Sequence, residues 1–106
     1  FLYVPQFESQ SAIEGGSVEL KCKVLYGFEN NQEISWKWIK SSEGSNDVEI
    51  KNTENEYEIR IDNESFESTL HIKNITQEHK GNFKCIVKNS FGQHARKIIV
   101  RVKSNT

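Results

Sequence analysis

The sequence predicts an all-β chain folded as a Greek-key sandwich of two sheets, tied together by one disulfide between them. Three observations carry that prediction. The 106 residues hold two cysteines, Cys22 and Cys85, about sixty positions apart. Trp36 and Trp38 follow the first cysteine by 14 and 16 residues, which suits a bridge between facing sheets with an indole filling the space beside it. Short runs of alternating polar and apolar residues recur between turn signals, with no helix-period segment of useful length.

Taken in order, the chain enters through Val4-Pro5, where its lone proline suits an edge or lead-in position. Glu14-Gly15-Gly16-Ser17 reads as a turn. In the next segment Val18, Leu20, Cys22 and Val24 alternate with Glu19, Lys21 and Lys23, as in a half-buried strand. Glu33 to Lys40 repeats the pattern with Ile34, Trp36 and Trp38 on one face. Val48 and Ile50 suit a short strand, and Tyr57, Ile59 and Ile61 the following one. Thr69–Ile72 and Gly81–Lys88 complete the central strands, and Asn89-Ser90-Phe91-Gly92 is a hairpin turn. In the last strand Ile98, Val100 and Val102 point one way, and Ile99 interrupts the polar side, placed to cover a neighbour or face a partner. Trp36, Trp38, Leu70 and Phe83 are the expected core. Either tryptophan can be the one beside the bridge: the residues after Trp38 favour it, and the spacing from Cys22 favours Trp36.

Composition bounds the rest. One domain spanning 1–106 is expected, long enough for a single sandwich core. Only 35% of residues are hydrophobic, so the bridge must contribute. A loop of this span is worth about 4 kcal/mol in the chain-entropy model. Such a cross-link persists in an oxidising compartment. The sequons Asn63-Glu64-Ser65 and Asn74-Ile75-Thr76 make Asn63 and Asn74 candidate glycosylation sites, which favours the same location. A chain that opens at Phe1, with no signal peptide and no apolar run near 18 residues, reads as a domain excised from a longer extracellular protein.

The run Leu70-His71-Ile72-Lys73-Asn74-Ile75-Thr76-Gln77-Glu78-His79-Lys80-Gly81-Asn82-Phe83-Lys84-Cys85 resembles the E-to-F segment of an immunoglobulin domain. The whole chain resembles an I-set member of that superfamily. Trp36-Lys37-Trp38-Ile39-Lys40 and the ending Ile98-Ile99-Val100-Arg101-Val102-Lys103-Ser104 resemble the membrane-proximal domain of basigin, neuroplastin and embigin. The same Trp-Lys-Trp is similar to the third domain of interleukin-1-type receptors, and the E–F–G half to neural adhesion domains. A cytosolic muscle-type domain with two unbridged thiols is the contrasting member of the superfamily.

Two departures from the family pattern stand out. The usual Asp-x-Gly-x-Tyr-x-Cys reads His79-Lys80-Gly81-Asn82-Phe83-Lys84-Cys85. Phe83 lacks the hydroxyl of the tyrosine corner, and His79 replaces an aspartate that the family often pairs with arginine. That ion pair is therefore expected to be lost, with apolar contact sealing this end of the sandwich.

Charge is segregated. Residues 41–67 hold nine acids against Lys51 and Arg60, a net of −7, and residues 80–103 hold seven cations and no acid, a net of +7. Opposite patches of this kind steer association more than they strengthen it. Arg96, Lys97, Ile99, Arg101 and Phe91 form the expected partner surface. His71, His79 and His94 have no metal-ligand spacing and read as surface residues. No phosphate-cradling glycine loop is present, and the basic residues lack the interleaved aromatics of a nucleic-acid site. The expectation is a non-enzymatic module with no cofactor, no metal and no nucleic-acid partner. It would bind protein partners at the extracellular face of the plasma membrane, or after secretion, with weak homophilic contact between copies. The basigin resemblance implies a single-pass cell-surface glycoprotein that escorts transporters and reaches the membrane through a segment outside this chain. The alternative is the ligand-binding domain of a growth-factor or interleukin-1-type signalling receptor.

Overall fold

A computed structural model describes residues 7–23, 34–41, 47–62, 64–89 and 92–104. It contains β1 (Phe7–Ile13), β2 (Val18–Lys23), β3 (Ser35–Ser41), β4 (Val48–Glu49), β5 (Tyr57–Asp62), β6 (Glu67–Ile72), a 3-10 turn (Gln77–His79), β7 (Gly81–Asn89) and β8 (Gly92–Lys103). The strands form a five-stranded sheet in the order β1-β8-β7-β3-β4 and a three-stranded sheet in the order β2-β6-β5. All pairings are antiparallel except that of β1 with β8. Val4-Pro5, Val24, Glu33 and the middle of the Asn89–Gly92 hairpin lie outside the described residues.

Period-two alternation determines which residues meet between the sheets. Leu20 and Cys22 of β2, Ser68, Leu70 and Ile72 of β6, and Phe83, Cys85 and Val87 of β7 are fully buried, as is Ile98 of β8. Cys22 and Cys85 form the bridge, their Cα atoms 6.3 Å apart. Trp38 lies beside it. Its backbone is paired with Cys85 on β3–β7, and its indole Nε1 donates across the sandwich to Ser68 Oγ at 2.9 Å. Ser68 is in turn paired with Cys22 on β2–β6. Trp36 is half-buried and packs against the rim of the same cluster.

The first strand has no counterpart in the sequence-based expectation. Phe7-Glu8-Ser9-Gln10-Ser11-Ala12-Ile13 offers little apolar patterning, and Ala12 is the buried core residue among its described side chains, those of 9–13. It is an edge strand held by parallel pairing to β8, so backbone hydrogen bonding rather than burial defines it. The chain then switches sheets at Gly15, whose φ of +82° suits glycine. Gly15 N–H donates to Ile75 O at 2.8 Å, and Ile75 N–H returns to Gly16 O at 3.0 Å.

Two expected inward residues are not inward. Val48 is 62% exposed and Ile61 50% exposed. β4 is a two-residue edge strand, and Ile61 lies on β5, the edge strand of the three-stranded sheet, one strand out from the buried Ser68. The outer edge of β5 is closed by side chains: Thr53 Oγ1 accepts from the N–H of Glu56 and Tyr57, and Asn52 Oδ1 accepts from Ile59 N–H. Capping a free edge in this way blocks unwanted strand addition.

Candidate interaction surface

Cross-strand partners share a face, so the register maps the outer side of the five-stranded sheet directly. One row runs Glu49, Ile39, Lys84, Lys97 across β4, β3, β7 and β8. The neighbouring row on one side is Lys37, Ile86, Ala95, and beyond it Ser35, Lys88, Gln93. On the other side come Ser41, Asn82, Ile99 and Ser9, then Arg101 beside Ser11, and Lys103 beside Ile13. Six cations (Lys37, Lys84, Lys88, Lys97, Arg101 and Lys103) share this face with two acids at its β4 edge among the described residues, Glu49 and Asp47, the latter bonded to the Ser41 hydroxyl. Glu49 lies 3.8 Å from Lys37 Nζ. Ile39, Ile86 and Ile99 are half-buried between the cations.

The structure brings together Lys97, Ile99 and Arg101 of the expected partner surface and separates Arg96 from them. Arg96 is paired with Cys85, so it points inward on the side of Ile98 and Val100. Adjacent positions on a strand face opposite ways, and the basic cluster in the sequence mixes both faces. Phe91 lies outside the described residues. Lys37, Lys84 and Lys88 complete the surface, and the alternation of the β3 and β7 segments was the signal for them.

The acidic block is not one patch. Glu58 and Asp62 lie on the outer side of the three-stranded sheet, in rows with Glu19, His71, Lys23 and Glu67. Arg60 donates to Glu58 at 2.9 Å, and that bond holds the Glu58 carboxyl below its usual range. Asp62 accepts from the N–H of Glu64 and Ser65, which likewise holds it low.

The end of the sandwich is where the sequence-based expectation fails most clearly. His79 is not a surface residue but 3% exposed. Its Nδ1 accepts from Thr76 N–H at 2.9 Å, which leaves the proton on Nε2 to donate to Glu56 Oε2 at 2.7 Å. The family's usual acid-to-base pair is therefore present with its polarity reversed, and this end is closed by a polar contact as well as an apolar one. Tyr57 stacks edge-on against the imidazole at 5.8 Å. Burial, then the carboxylates of Glu56 and Glu78, push the Tyr57 hydroxyl up to about 12. Lys40 sits 5.5 Å over the buried Phe83 ring, and burial lowers its pKa. Two open clefts of about 410 and 520 Å³ share Lys40, Glu56 and Tyr57 as walls. His71 stands near Glu58, its Nδ1 3.7 Å from the carboxylate, and His94 is half-buried.

This reversal gives a prediction. His79→Asp alone sets two carboxylates against each other at a partly buried position and is expected to lower the urea midpoint. Adding Glu56→Arg restores the opposite polarity while the new carboxylate still accepts from Thr76 N–H. The double variant should therefore unfold at a higher urea concentration than the single one, and the cycle completed with Glu56→Arg alone should give roughly 0.5–3 kcal/mol of coupling. Additive costs around the cycle would mean that the two side chains do not interact.

Asn74 is exposed with φ of +54°, and its Nδ2 donates to Asn55 O at 2.8 Å. Asn63 lies outside the described residues. No group of three or more His, Cys, Asp or Glu among the described residues could hold a metal ion.

The immunoglobulin domain family model matches residues 4–89. The chain belongs to the immunoglobulin domain family. Members of this family in general mediate protein–protein contacts rather than catalysis. The chain is 26% identical over 87 residues to the mouse protein "Leucine-rich repeats and immunoglobulin-like domains protein 3", covering 82% of this chain and 8% of that relative. Among solved structures, the M1 domain of titin superposes with a TM-score of 0.77 at 23% identity, over 97% of this chain and 95% of that one. The twitchin kinase region from C. elegans superposes with a TM-score of 0.74 at 20% identity, over 97% of this chain and 16% of that one. These structural likenesses establish the fold of this immunoglobulin domain.

Proposed function

We propose that this immunoglobulin domain is an extracellular protein-binding and adhesion module of a single-pass cell-surface glycoprotein. Its recognition surface is the outer face of the five-stranded sheet. The observation that carries the reading is the placement of Ile39, Ile86 and Ile99 on that face, half-buried among cations rather than covered by a third layer of described residues. An apolar centre with a charged surround is how partner surfaces are built. The inter-sheet bridge and the exposed Asn74 sequon support an oxidising, glycosylating compartment. The Trp36-Lys37-Trp38 element supports a basigin-like transporter accessory, and supports an interleukin-1-type receptor domain as the second reading. Contact between copies is the weak form of this binding. Exposed ion pairs contribute about 0–1 kcal/mol each, so the isolated domain is expected to be monomeric at micromolar concentration.

The test is staining of intact cells by the oxidised domain displayed on a multivalent fluorescent carrier. Staining of unpermeabilised cells that is lost in the Ile39→Ser/Ile86→Ser variant is the expected result. Staining that appears only after permeabilisation, or that survives this substitution, would contradict the reading.

A further inference from the structure

We propose that the outer face of the five-stranded sheet is a docking track for a linear sulfated glycan. The inference rests on the reading of that face as the recognition surface and names the ligand chemistry that engages it.

The cations are not scattered. From Lys88 through Lys37, Lys84 and Lys97 to Arg101 and Lys103, they follow the long axis of β7 and β8. The register separates the ends of this series by ten residue steps, about 34 Å at a rise of roughly 3.4 Å per residue. Neighbouring strands are only about 4.8 Å apart, so Lys88, Lys37, Lys84 and Lys97, and separately Arg101 and Lys103, lie within or near one Debye length of about 8 Å at physiological salt, while Lys97 and Arg101 are about 14 Å apart with Ile99 between them. Lys84 and Lys97 are direct cross-strand partners, an arrangement that destabilises a strand pair unless something anionic lies over it. The described acids of the same face are Glu49, which faces Lys37, and Asp47, which accepts from Ser41, both at the β4 edge.

A second copy of the domain is a poor source of the missing anions. Of the eight described acids of the block, five are engaged within the domain: Glu56 by His79, Glu58 by Arg60, Asp62 by two backbone N–H groups, Glu49 by Lys37 and Asp47 by the Ser41 hydroxyl; Glu54, Glu64 and Glu67 are dispersed over the β5–β6 side rather than aligned along a track. An edge strand of two residues, β4, spans about 7 Å of the 34 Å track. An extended polyanion matches the whole length. The cations are mostly lysines, compact point charges rather than bidentate forks, which suits a repeating charge more than one defined carboxylate or phosphate.

The test is titration of the oxidised domain with size-defined heparin oligosaccharides, in parallel with desulfated ones, at 0.05, 0.15 and 0.5 M salt. Binding should require sulfation and weaken at least tenfold between the lowest and highest salt. Lys84→Glu/Arg101→Glu should lower affinity at least tenfold at 0.15 M. Lys21→Glu/Lys23→Glu, the same charge change on the outer side of the three-stranded sheet, should lower it less than threefold. Lys84→Glu alone should raise the thermal midpoint while weakening binding, which separates lost contact from lost folding. Equal losses from the two double variants, binding of desulfated chains or nucleic acid as tight as that of heparin, or no binding at 0.05 M would each overturn the proposal. If heparin binding fails while cell staining still depends on Ile39 and Ile86, the glycan inference falls and the protein-binding reading stands.

Discussion

Replacing Cys22 and Cys85 together with alanine is expected to lower the unfolding free energy by about 2–5 kcal/mol. The bridge ties β2 of one sheet to β7 of the other across a sequence separation of 63. In the chain-entropy model a loop of that span is worth about 4 kcal/mol. Both cysteines are fully buried, so the alanines also leave unfilled volume between the sheets. With 35% hydrophobic residues, the remaining core gives little reserve against a loss of this size. Urea unfolding of the double variant beside the oxidised parent gives the number. A midpoint shared by the two proteins would show that the bridge adds nothing to the fold.

The second large effect is expected at Trp38. Trp38→Ala removes the largest fully buried side chain of the core and should cost about 3–5 kcal/mol. It also takes away the donor to Ser68 Oγ, a fully buried hydroxyl. Ser68→Ala leaves the indole N–H without that acceptor and should cost about 1–3 kcal/mol. Because the two groups satisfy one another, Trp38→Phe combined with Ser68→Ala should cost less than the sum of the single changes, by roughly 0.5–3 kcal/mol. Additive costs in a double-mutant cycle would show that the bond across the sandwich carries no stability of its own. Trp36→Ala, at the half-buried rim, should cost less than Trp38→Ala.

Much of this fold was legible because the central strands announce themselves by alternation. In β2 and β6 each inward side chain is apolar, small or a cysteine, and each outward one is polar, so period two suffices to place both faces. What alternation cannot show is a strand defined by its partner. β1 is polar and is a strand because β8 offers it an unpaired edge. The same limit explains His79. Its partner Glu56 is 23 positions away, just before β5, so the polarity reversal could not be read from the motif around Cys85. At the candidate surface, the basic cluster of β8 was visible as composition, but composition ignores which way each residue points. Applying the alternation to it would have set Arg96 apart and admitted Lys84. The acidic block misled for a related reason: five of its carboxylates are occupied by partners distributed over the fold.

The claim that one face of this immunoglobulin domain is its recognition surface is tested most directly by mapping backbone amide shifts while the oxidised domain is titrated with a sulfated oligosaccharide. The account predicts that the amides of Lys37, Ile39, Lys84, Ile86, Lys97, Ile99 and Arg101 move together along one saturation curve, while those of Lys21, Lys23, Thr76 and His79 stay still. Shifts concentrated around Lys40, Tyr57 and His79, or spread evenly over both sheets, would contradict it.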